Sequence, residues 1–276
     1  MNNNSVKSHA KVNLNLNIIG KTKKFHKLQS IISLISLHDE VILKQIKHRS
    51  HKILFKGEFS KKISSRNTIH KTLSILDKKK LLKKKYLVLI KKNIPSKSGM
   101  GGGSMNAATL IKILIKKKII KLDKKKLQNL CDSIGQDVKL GFCKNKMYLN
   151  SNNKVKTLNK MTKYFLLLFM PKYGCSTKSI FSKVKRFSKP IKNIYKKLDY
   201  LDDLKNDLEE IVIKKNPELK KPIKFIKNQP GIKFVKMTGS GSCFVAYSKS
   251  KDSIINSIIK FRKNYPKYWS VLSKTI

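Results

Sequence analysis

The stretch that decides the fold is PSKSGMGGGSMNAAT, residues Pro95 to Thr109. It is rich in glycine, and its glycines are Gly99, Gly101, Gly102 and Gly103. Glycine allows the backbone a positive φ and a close approach to a ligand. A tight loop that leads into a helix points several N–H groups at one place, where the helix dipole favours negative charge. The stretch therefore predicts a phosphate-binding loop.

Two common phosphate-binding patterns do not fit this stretch. A Walker A loop needs Gly-Lys-Ser or Gly-Lys-Thr after its glycines, and no such triplet follows here. The dinucleotide fingerprint needs a glycine where Ser104 stands, so it does not fit either. A flexible linker is the remaining alternative. The flanking sequence argues against it, because a strand is predicted at Tyr86 to Ile90 and an apolar helix at Ser104 to Ile120.

Length and composition are those of a globular protein. The chain has 276 residues, 40% of them hydrophobic, which is enough for one large domain or two modest ones. Its longest apolar run, Tyr164 to Met170, is too short for a membrane span, and its first residues contain no apolar signal segment. The 4 cysteines form no CxxC pair. We expect a cytoplasmic protein with no membrane partner and no metal site of its own.

The net charge is strongly positive, +49, from 64 Lys and Arg against 15 Asp and Glu. Such a charge raises the hypothesis of nucleic-acid binding. The basic residues, however, are mostly lysines scattered in short runs, whereas arginine carries most specific base recognition. Asn and Ile, which share A/T-rich codons with Lys, are also abundant. We favour codon bias as the cause and expect no specific nucleic-acid partner.

Periodicity predicts an α+β protein, since strands and helices mix without regular βαβ alternation. Asp123 and Ser176 are predicted helix N-caps, and Gly135 is a predicted helix stop. A change of composition at residues 150–156 marks a domain boundary. The predicted strands cover residues 12–18, 25–37, 40–55, 80–87, 163–169, 235–241 and 242–247, and the predicted helices cover 67–79, 104–120, 124–133, 176–186, 201–213 and 251–264.

The first predicted strand carries two different faces. Val12, Leu14, Leu16 and Ile18 alternate with polar residues, which predicts a half-buried strand. Lys11 and Asn13 lie on the polar face, which is either plain solvent exposure or the wall of a site.

Several segments together resemble the family of galactokinase, homoserine kinase, mevalonate kinase and phosphomevalonate kinase, the GHMP kinases. The resemblance covers nearly the whole chain, and its segments occur in the family's order. They are AKVNLNL at 10–16, FHKLQ at 25–29, GGGSMNAA at 101–108, IGQDV at 134–138, STKSIF at 176–181, NDLE at 206–209 and MTGSGS at 237–242.

The resemblance implies a two-domain GHMP-kinase fold, with an N-terminal half like ribosomal S5 domain 2 and a ferredoxin-like C-terminal half. It divides the chain into an ATP-binding and catalytic domain at 1–155 and a C-terminal domain at 156–276. It also implies a kinase that uses ATP, with Mg²⁺ bound to the nucleotide, as a monomer or homodimer. The nearest family members work in non-mevalonate isoprenoid biosynthesis and phosphorylate a cytidylated small molecule.

The expected site residues follow from matching positions. The resemblance assigns the acceptor proton to Asp137 as general base, with Lys11 neutralising charge nearby; a simple turn is the alternative for Asp137. A cation within about 4–6 Å keeps a carboxylate ionised. The expected nucleotide-binding residues are Pro95, Ser96, Lys97, Ser98, Gly99, Met100, Gly101, Gly102, Gly103, Ser104 and Met105. Ser104 contacts phosphate or caps its helix, or does both.

The resemblance places the substrate among five residues. Phe25 and Phe181 are expected to stack on the cytosine, a contact worth roughly 1–3 kcal/mol per base. His26 is expected to read the base edge, while Asn13 and Thr177 contact the hydroxyl groups. Taken alone, each of these residues also has an ordinary structural role. Gly239 and Gly241 either support the phosphate loop or form a tight hairpin.

Four positions depart from the family pattern: Lys97 replaces Gly, Met105 replaces Ser, Lys139 replaces Pro and Phe25 replaces Tyr. These departures bear on catalytic efficiency. A homoserine- or mevalonate-type kinase is the alternative within the family, and a basic RNA-binding protein on a kinase-like fold is the alternative outside it.

Overall fold

The structure is a computed structural model that describes residues 5–22, 25–61, 63–159, 162–194, 198 and 200–276. It divides into two compact units. The first contains the chain through Ala10 and residues 37–96 and 101–143, and the second contains residues 11–36, 97–100 and 144–276. The chain therefore passes from one unit to the other within the glycine-rich stretch, and again within two of its strands.

The first unit is built on a sheet. Strand β1 (Val6–Asn13) begins here, and strand β3 (His26–Ile46) contributes its residues from 37 onward. Strand β4 (Lys52–Lys56) pairs in parallel with β5 (Lys85–Lys91), and β5 pairs antiparallel with β3. Alternate residues of β5, Tyr86, Val88 and Ile90, are buried, which gives the sheet one apolar face.

Helices cover that face. They are α1 (Thr68–Lys78), α2 (Gly102–Lys116) and α3 (Lys124–Ile134), followed by a short 3-10 helix over Val138–Phe142. Side chains such as Leu73, Leu110 and Leu130 pack with the strand residues in one hydrophobic core. Burial of this apolar surface is the main favourable term that holds the helices in place.

The second unit contains strand β2 (Asn17–Lys21), the first part of β3, β6 (Lys146–Leu149) and β7 (Val155–Thr157). β3 pairs antiparallel with both β2 and β6, and β6 pairs with β7. A further antiparallel sheet has the order β11 (Trp269–Lys274), β8 (Phe165–Met170), β10 (Phe244–Ser248) and β9 (Phe234–Met237).

Helices α4 (Thr177–Phe181), α5 (Glu209–Lys215), α6 (Lys220–Lys227) and α7 (Lys251–Asn264) complete this unit. Its core joins the strands and helices through residues such as Phe169, Phe244, Ile226 and Phe261. No helix among the described ranges is both long enough and apolar enough to span a bilayer.

The prediction of a single half-buried strand over 12–18 was wrong in two ways. β1 ends at Asn13 and β2 begins at Asn17, so the chain bends between them. Lys11, Asn13 and Asn15 are all buried, as are Val12 and Leu14. Solvent exposure therefore does not explain the polar residues.

The predicted strand end at Asp39 was also wrong. β3 runs through this position without interruption, and Asp39 is completely buried within it. An acidic residue in an apolar run normally indicates the end of a strand. Here hydrogen-bond donors that are distant in the sequence compensate the buried carboxylate.

The predicted helix caps were correct, but the helix predicted over 176–186 was too long, since α4 ends at Phe181. Asp123 Oδ1 accepts the Lys126 N–H at 2.7 Å, Gly135 is the C-cap of α3, and Ser176 caps α4. The predicted helix over 201–213 was too long, because a turn at residues 205–208 separates a short 3-10 helix from α5. Strands β6, β7 and β11 and helix α6 had not been predicted.

Candidate active site

The glycine-rich stretch contributes an open helix start to the first unit. Helix α2 begins at Gly102, and its N-cap, Gly101, has a φ of 70°. No described side chain caps this end. The first N–H groups of an α-helix have no intrahelical partner, so those of residues 102–104 remain as donors. Together with the helix dipole they form the predicted arrangement for an anion.

The alternative role of Ser104 as a helix cap does not hold, because Ser104 lies inside the first turn of α2 and Gly101 is the N-cap. The glycines before it meet close neighbours. A Cβ at Gly102 would lie 3.1 Å from Ile94 Cγ2 and 3.3 Å from Lys92 Nζ, and one at Gly103 would lie 3.1 Å from Thr68 Oγ1. Glycine thus allows three side chains, those of Ile94, Lys92 and Thr68, to approach the helix start closely.

In the second unit, the middle of the stretch is anchored through its backbone. Lys97 O accepts the N–H of Cys175 at 3.2 Å, and Ser98 O accepts that of Cys243 at 3.3 Å. Met100 O accepts the N–H of Lys11 at 3.1 Å, which places the predicted catalytic lysine beside this part of the loop. Lys97 itself has a φ of 54°, the left-handed conformation that suits the glycine usual in the family.

The turn at residues 238–242 packs directly on Gly99. A Cβ at Gly99 would lie 2.1 Å from Thr238 O, and one at Gly239 would lie 2.5 Å from Gly99 O. Both glycines also have positive φ angles, 80° and 55°. Since β9 and β10 flank the turn, it is at once a hairpin connection and a support of the loop, so the two alternatives are compatible.

Lys11 and Asn13 form a buried polar pair on β1. Lys11 Nζ donates to Asn13 Oδ1 at 2.6 Å, and the N–H of Gly239 donates to the same oxygen at 3.1 Å. The Asn13 amide nitrogen donates to Ser30 Oγ at 2.7 Å. The pair is therefore fixed in orientation by the glycine turn and by β3. Contact of Asn13 with a substrate hydroxyl stays a prediction.

Asp137 stands in the first unit, immediately before the 3-10 helix of residues 138–142, where it is the N-cap residue. The neighbouring Lys139 is buried, and this burial lowers the pKa of its ammonium, although the carboxylates of Asp132 and Asp137 oppose the effect. The position where the family has proline thus contributes a cation close to the predicted base. The role of Asp137 as a base stays a prediction.

The predicted substrate residues Phe25, His26, Thr177 and Phe181 belong to the second unit. His26 and Phe181 have ring centroids 5.1 Å apart, whereas Phe25 is 54% exposed. Burial lowers the pKa of His26, and the Lys21 ammonium lowers it further, which favours the neutral imidazole. The ring partner of Phe181 is thus the histidine that was expected to read a base edge.

Two supporting residues had been quoted only as parts of motifs. Asn206 Nδ2 donates to Met237 O and to Gly239 O, both at 2.9 Å, and thereby fixes the backbone of the glycine turn. Ser240 Oγ lies 2.9 Å from Thr177 Oγ1, which joins the same turn to α4. Each of these contacts joins residues that are more than 30 positions apart in the sequence, so no local sequence pattern could predict it.

A cavity of about 730 Å³ lies elsewhere in the second unit, beside Asn206, Glu209 and Lys236. None of the predicted site residues lines it. Its buried charges are used internally, because Glu209 accepts the N–H of Met237 at 2.9 Å and Lys236 Nζ donates to two backbone carbonyls. In the described part of the chain, no group of three or more His, Cys, Asp or Glu side chains is arranged to hold a metal ion.

Two domain families match the chain. Residues 67–142 match the GHMP kinases N terminal domain, and residues 187–267 match the GHMP kinases C terminal domain. The 4-diphosphocytidyl-2-C-methyl-D-erythritol kinase of Pelagibacter ubique (strain HTCC1062) is 44% identical over 100% of both chains. The enzyme of the same name from Fusobacterium nucleatum subsp. nucleatum is 30% identical over 90% of this chain and 89% of its own.

Solved structures share the fold. A crystal structure of 4-(cytidine 5'-diphospho)-2C-methyl-D-erythritol kinase has a TM-score of 0.81 at 22% identity, covering 99% of this chain and 100% of its own. L. major mevalonate kinase, in complex with R-mevalonate, has a TM-score of 0.71 at 14% identity, covering 99% and 95%. The predicted α+β GHMP-kinase fold is thereby confirmed. With both domains matched and a full-length relative at 44% identity, the chain belongs to the GHMP kinases, a family of ATP-dependent small-molecule kinases.

Proposed function

We propose that this protein transfers the γ-phosphoryl group of ATP to the 2-hydroxyl of 4-diphosphocytidyl-2-C-methyl-D-erythritol, giving the 2-phosphate and ADP. The observation that carries the kinase part is the uncapped, glycine-rich start of α2. The acceptor is inferred from the relatives from Pelagibacter and Fusobacterium, whose names state it. The reaction belongs to non-mevalonate isoprenoid precursor biosynthesis.

Phosphoryl transfer requires mainly positioning and stabilisation of the charge on the transferred group. In this proposal the backbone N–H groups of residues 95–105 bind the phosphates of ATP. Asp137 accepts the proton of the attacking hydroxyl, and Lys11 supplies positive charge at the reacting centre. General base catalysis of this kind contributes about 10²–10⁴-fold.

We further propose that Mg²⁺ arrives with the nucleotide and neutralises its phosphate charge. The side chain of Ser104, partly exposed in the first turn of α2, fits a contact with a phosphate oxygen or a metal-bound water. Its hydroxyl is short and lies among the open helix amides, so it reaches the phosphates without bringing a negative charge.

Recognition of the acceptor rests on its cytosine. The neighbouring rings of His26 and Phe181 form one aromatic surface for the base. The ring of Phe25 is proposed as a second aromatic surface. Asn13 and Thr177 are proposed to contact the hydroxyl groups of the substrate. These ring systems favour a cytidylated acceptor over homoserine or mevalonate, which carry no base to stack.

Three properties of the whole protein remain parts of this proposal. We propose that it acts in the cytoplasm, as a monomer or homodimer. We also propose that residues 1–155 contain the nucleotide-binding and catalytic functions and that residues 156–276 complete the enzyme. Light scattering of the purified protein would determine the oligomeric state.

A kinase assay tests the proposal. The purified protein is given ATP, Mg²⁺ and, separately, the cytidylated substrate, homoserine or mevalonate, and ADP release is measured. We expect turnover with the cytidylated substrate alone, and a loss of at least about 100-fold in Asp137→Asn. Turnover only with homoserine or mevalonate would contradict the proposed acceptor. An unchanged rate in Asp137→Asn would contradict the assignment of Asp137 as the general base. RNA binding with no ATPase or kinase activity would contradict the proposal that this protein is a kinase.

A further inference from the structure

We propose that Asp39 is a positioning residue that holds both ends of the phosphate-binding loop in the geometry that ATP requires. The proposal rests on the proposed function, because it assumes that the open start of α2 binds the nucleotide phosphates. Asp39 lies in the middle of β3 and is completely buried. Neither the family signatures nor the catalytic roles proposed above include it.

One oxygen of Asp39 holds the chain where the loop begins. Oδ1 accepts the N–H of Asn93 at 2.8 Å and the N–H of Ile94 at 2.9 Å. These residues directly precede Pro95, the first residue of the glycine-rich stretch. Two backbone donors on one carboxylate oxygen fix the direction in which the chain leaves β5, since charge-assisted hydrogen bonds are the strong and geometrically demanding ones.

The other oxygen holds the chain where the loop ends. Oδ2 accepts Asn106 Nδ2 at 2.8 Å, and Asn106 lies in α2 four positions after Gly102. A carboxylate only accepts, so the amide of Asn106 must present its nitrogen to Asp39. The Oδ1 atom of Asn106 has no hydrogen-bond partner within the described residues. The bond to Asp39 is therefore the contact that orients this buried side chain.

Asp39 also holds a cation at the helix start. Its Oδ2 forms a buried ion pair with Lys92 Nζ. That ammonium lies 3.3 Å from the point where a Cβ of Gly102 would stand. Removing the carboxylate would leave the Lys92 charge buried and unpaired, so Lys92 would shift towards another partner. The same group thus fixes the two chain ends and a positive charge next to the first open amide.

A purely structural ion pair is the competing explanation, and the first unit offers a matched control. Asp77 pairs with Lys85 Nζ at 2.8 Å and lies in the last turn of α1, at the end of β5 opposite to Asn93. Asp77→Asn removes an acid–lysine pair from the same unit without touching the loop. A variant with only one tether removed is Asn106→Ala, which leaves the Asp39–Lys92 pair intact.

The test measures ATP affinity by calorimetry, together with KM for each substrate, on the full chain. We expect ATP affinity to fall about tenfold or more in Asp39→Asn and by a smaller factor in Asn106→Ala, because a displaced loop loses several amide contacts together. KM for the acceptor should change less than about twofold, and Asp77→Asn should leave ATP affinity unchanged. Asp39→Glu should restore part of the affinity.

The outcomes separate this proposal from the proposed function. Loss of ATP affinity in the variants supports the positioning role even if the wild type fails to phosphorylate the cytidylated acceptor. A lower melting temperature with unchanged ATP affinity, in Asp39→Asn or in Asn106→Ala, overturns it. If Asp39→Asn does not fold, Asn106→Ala alone decides between the two results.

Discussion

Two glycine-rich segments of this protein look alike in the sequence but use glycine for different physical reasons. At residues 101–103, glycine forms an uncapped helix start whose amides remain available as donors. At residues 238–242, glycine permits two backbones to touch, because a Cβ at Gly239 would lie 2.5 Å from Gly99 O. The first segment is built to meet a ligand, and the second is built to hold the backbone at Gly99 rigidly. Substitutions in the two segments should therefore affect different measurements.

The largest expected effect is on activity, from Gly101→Asp. We expect kcat/KM for ATP to fall by roughly 10²–10³-fold, because the carboxylate would cap the open amides and repel the phosphates. Asp tolerates the left-handed backbone better than most residues, so the melting temperature should change little. Gly101→Asn has the same shape without the charge and should lose less activity. Activity within threefold of wild type, by ADP-release assay, would contradict the assignment of this helix start.

Gly239→Ala should act mainly on stability. The added Cβ must displace the Gly99 backbone and adopt a φ of 55°, so we expect a loss of about 2–4 kcal/mol in the free energy of unfolding. Gly20→Ala is the matched control, because its Cβ would meet its nearest neighbour, Lys27 Cδ, at 3.8 Å. Denaturant unfolding measures both. Equal stability of the two variants would remove the distinction between the segments.

Asn206→Ala should weaken the turn without crowding it. Met237 O and Gly239 O would lose their shared donor in a buried place, which is expected to cost about 1–3 kcal/mol. Asn216→Ala is the control, because Asn216, the C-cap residue of α5, donates from Nδ2 only to Val212 O among the described residues. We expect the control to change stability by less than about 0.5 kcal/mol. An unchanged free energy of unfolding in Asn206→Ala would show that the turn keeps its shape without the hydrogen bonds from Asn206.

Lys97→Gly should give the smallest change, a stabilisation below about 1 kcal/mol. A side chain in the left-handed region is strained, while glycine adds freedom to the unfolded chain, so the two effects partly cancel. Lys80→Gly is the comparison, because Lys80 has a φ of 55° against 54° for Lys97 but lies in the turn that ends α1. Thermal unfolding should show similar shifts for both variants. Clear destabilisation by Lys97→Gly would mean that its side chain contributes packing to the loop.

Predictions from the sequence succeeded where the physical cause is local. Asp123, Gly135 and Ser176 act within one helical turn, and their positions in the structure agree with their capping roles. The strands on either side of the turn at 238–242 were also predicted, because a pair of glycines between apolar runs demands a sharp reversal.

Predictions failed where a distant group supplied the compensation. Asp39 reads as a strand end, yet it lies inside β3 because Lys92, Asn93 and Asn106 provide donors from 53 to 67 residues away. The sequence left open whether Lys11 is exposed to solvent or lines a site; in the structure it is buried beside Asn13, whose side-chain Oδ1 also accepts the N–H of Gly239. The desolvation of a charge is decided by its partners, and spacing along the chain does not reveal them.

The amino-acid sequence alone determined the glycine-rich loop and its helix, the capped helices and the membership in a kinase family. These features follow from backbone preferences of single residues and from motifs read in order. Only the tertiary structure decided that Asp39 ties both ends of the loop together, that the second glycine turn packs on Gly99, and that His26 meets Phe181. The reason is physical: φ preferences act within a few bonds, whereas burial, ion pairing and close packing depend on residues that only folding brings together.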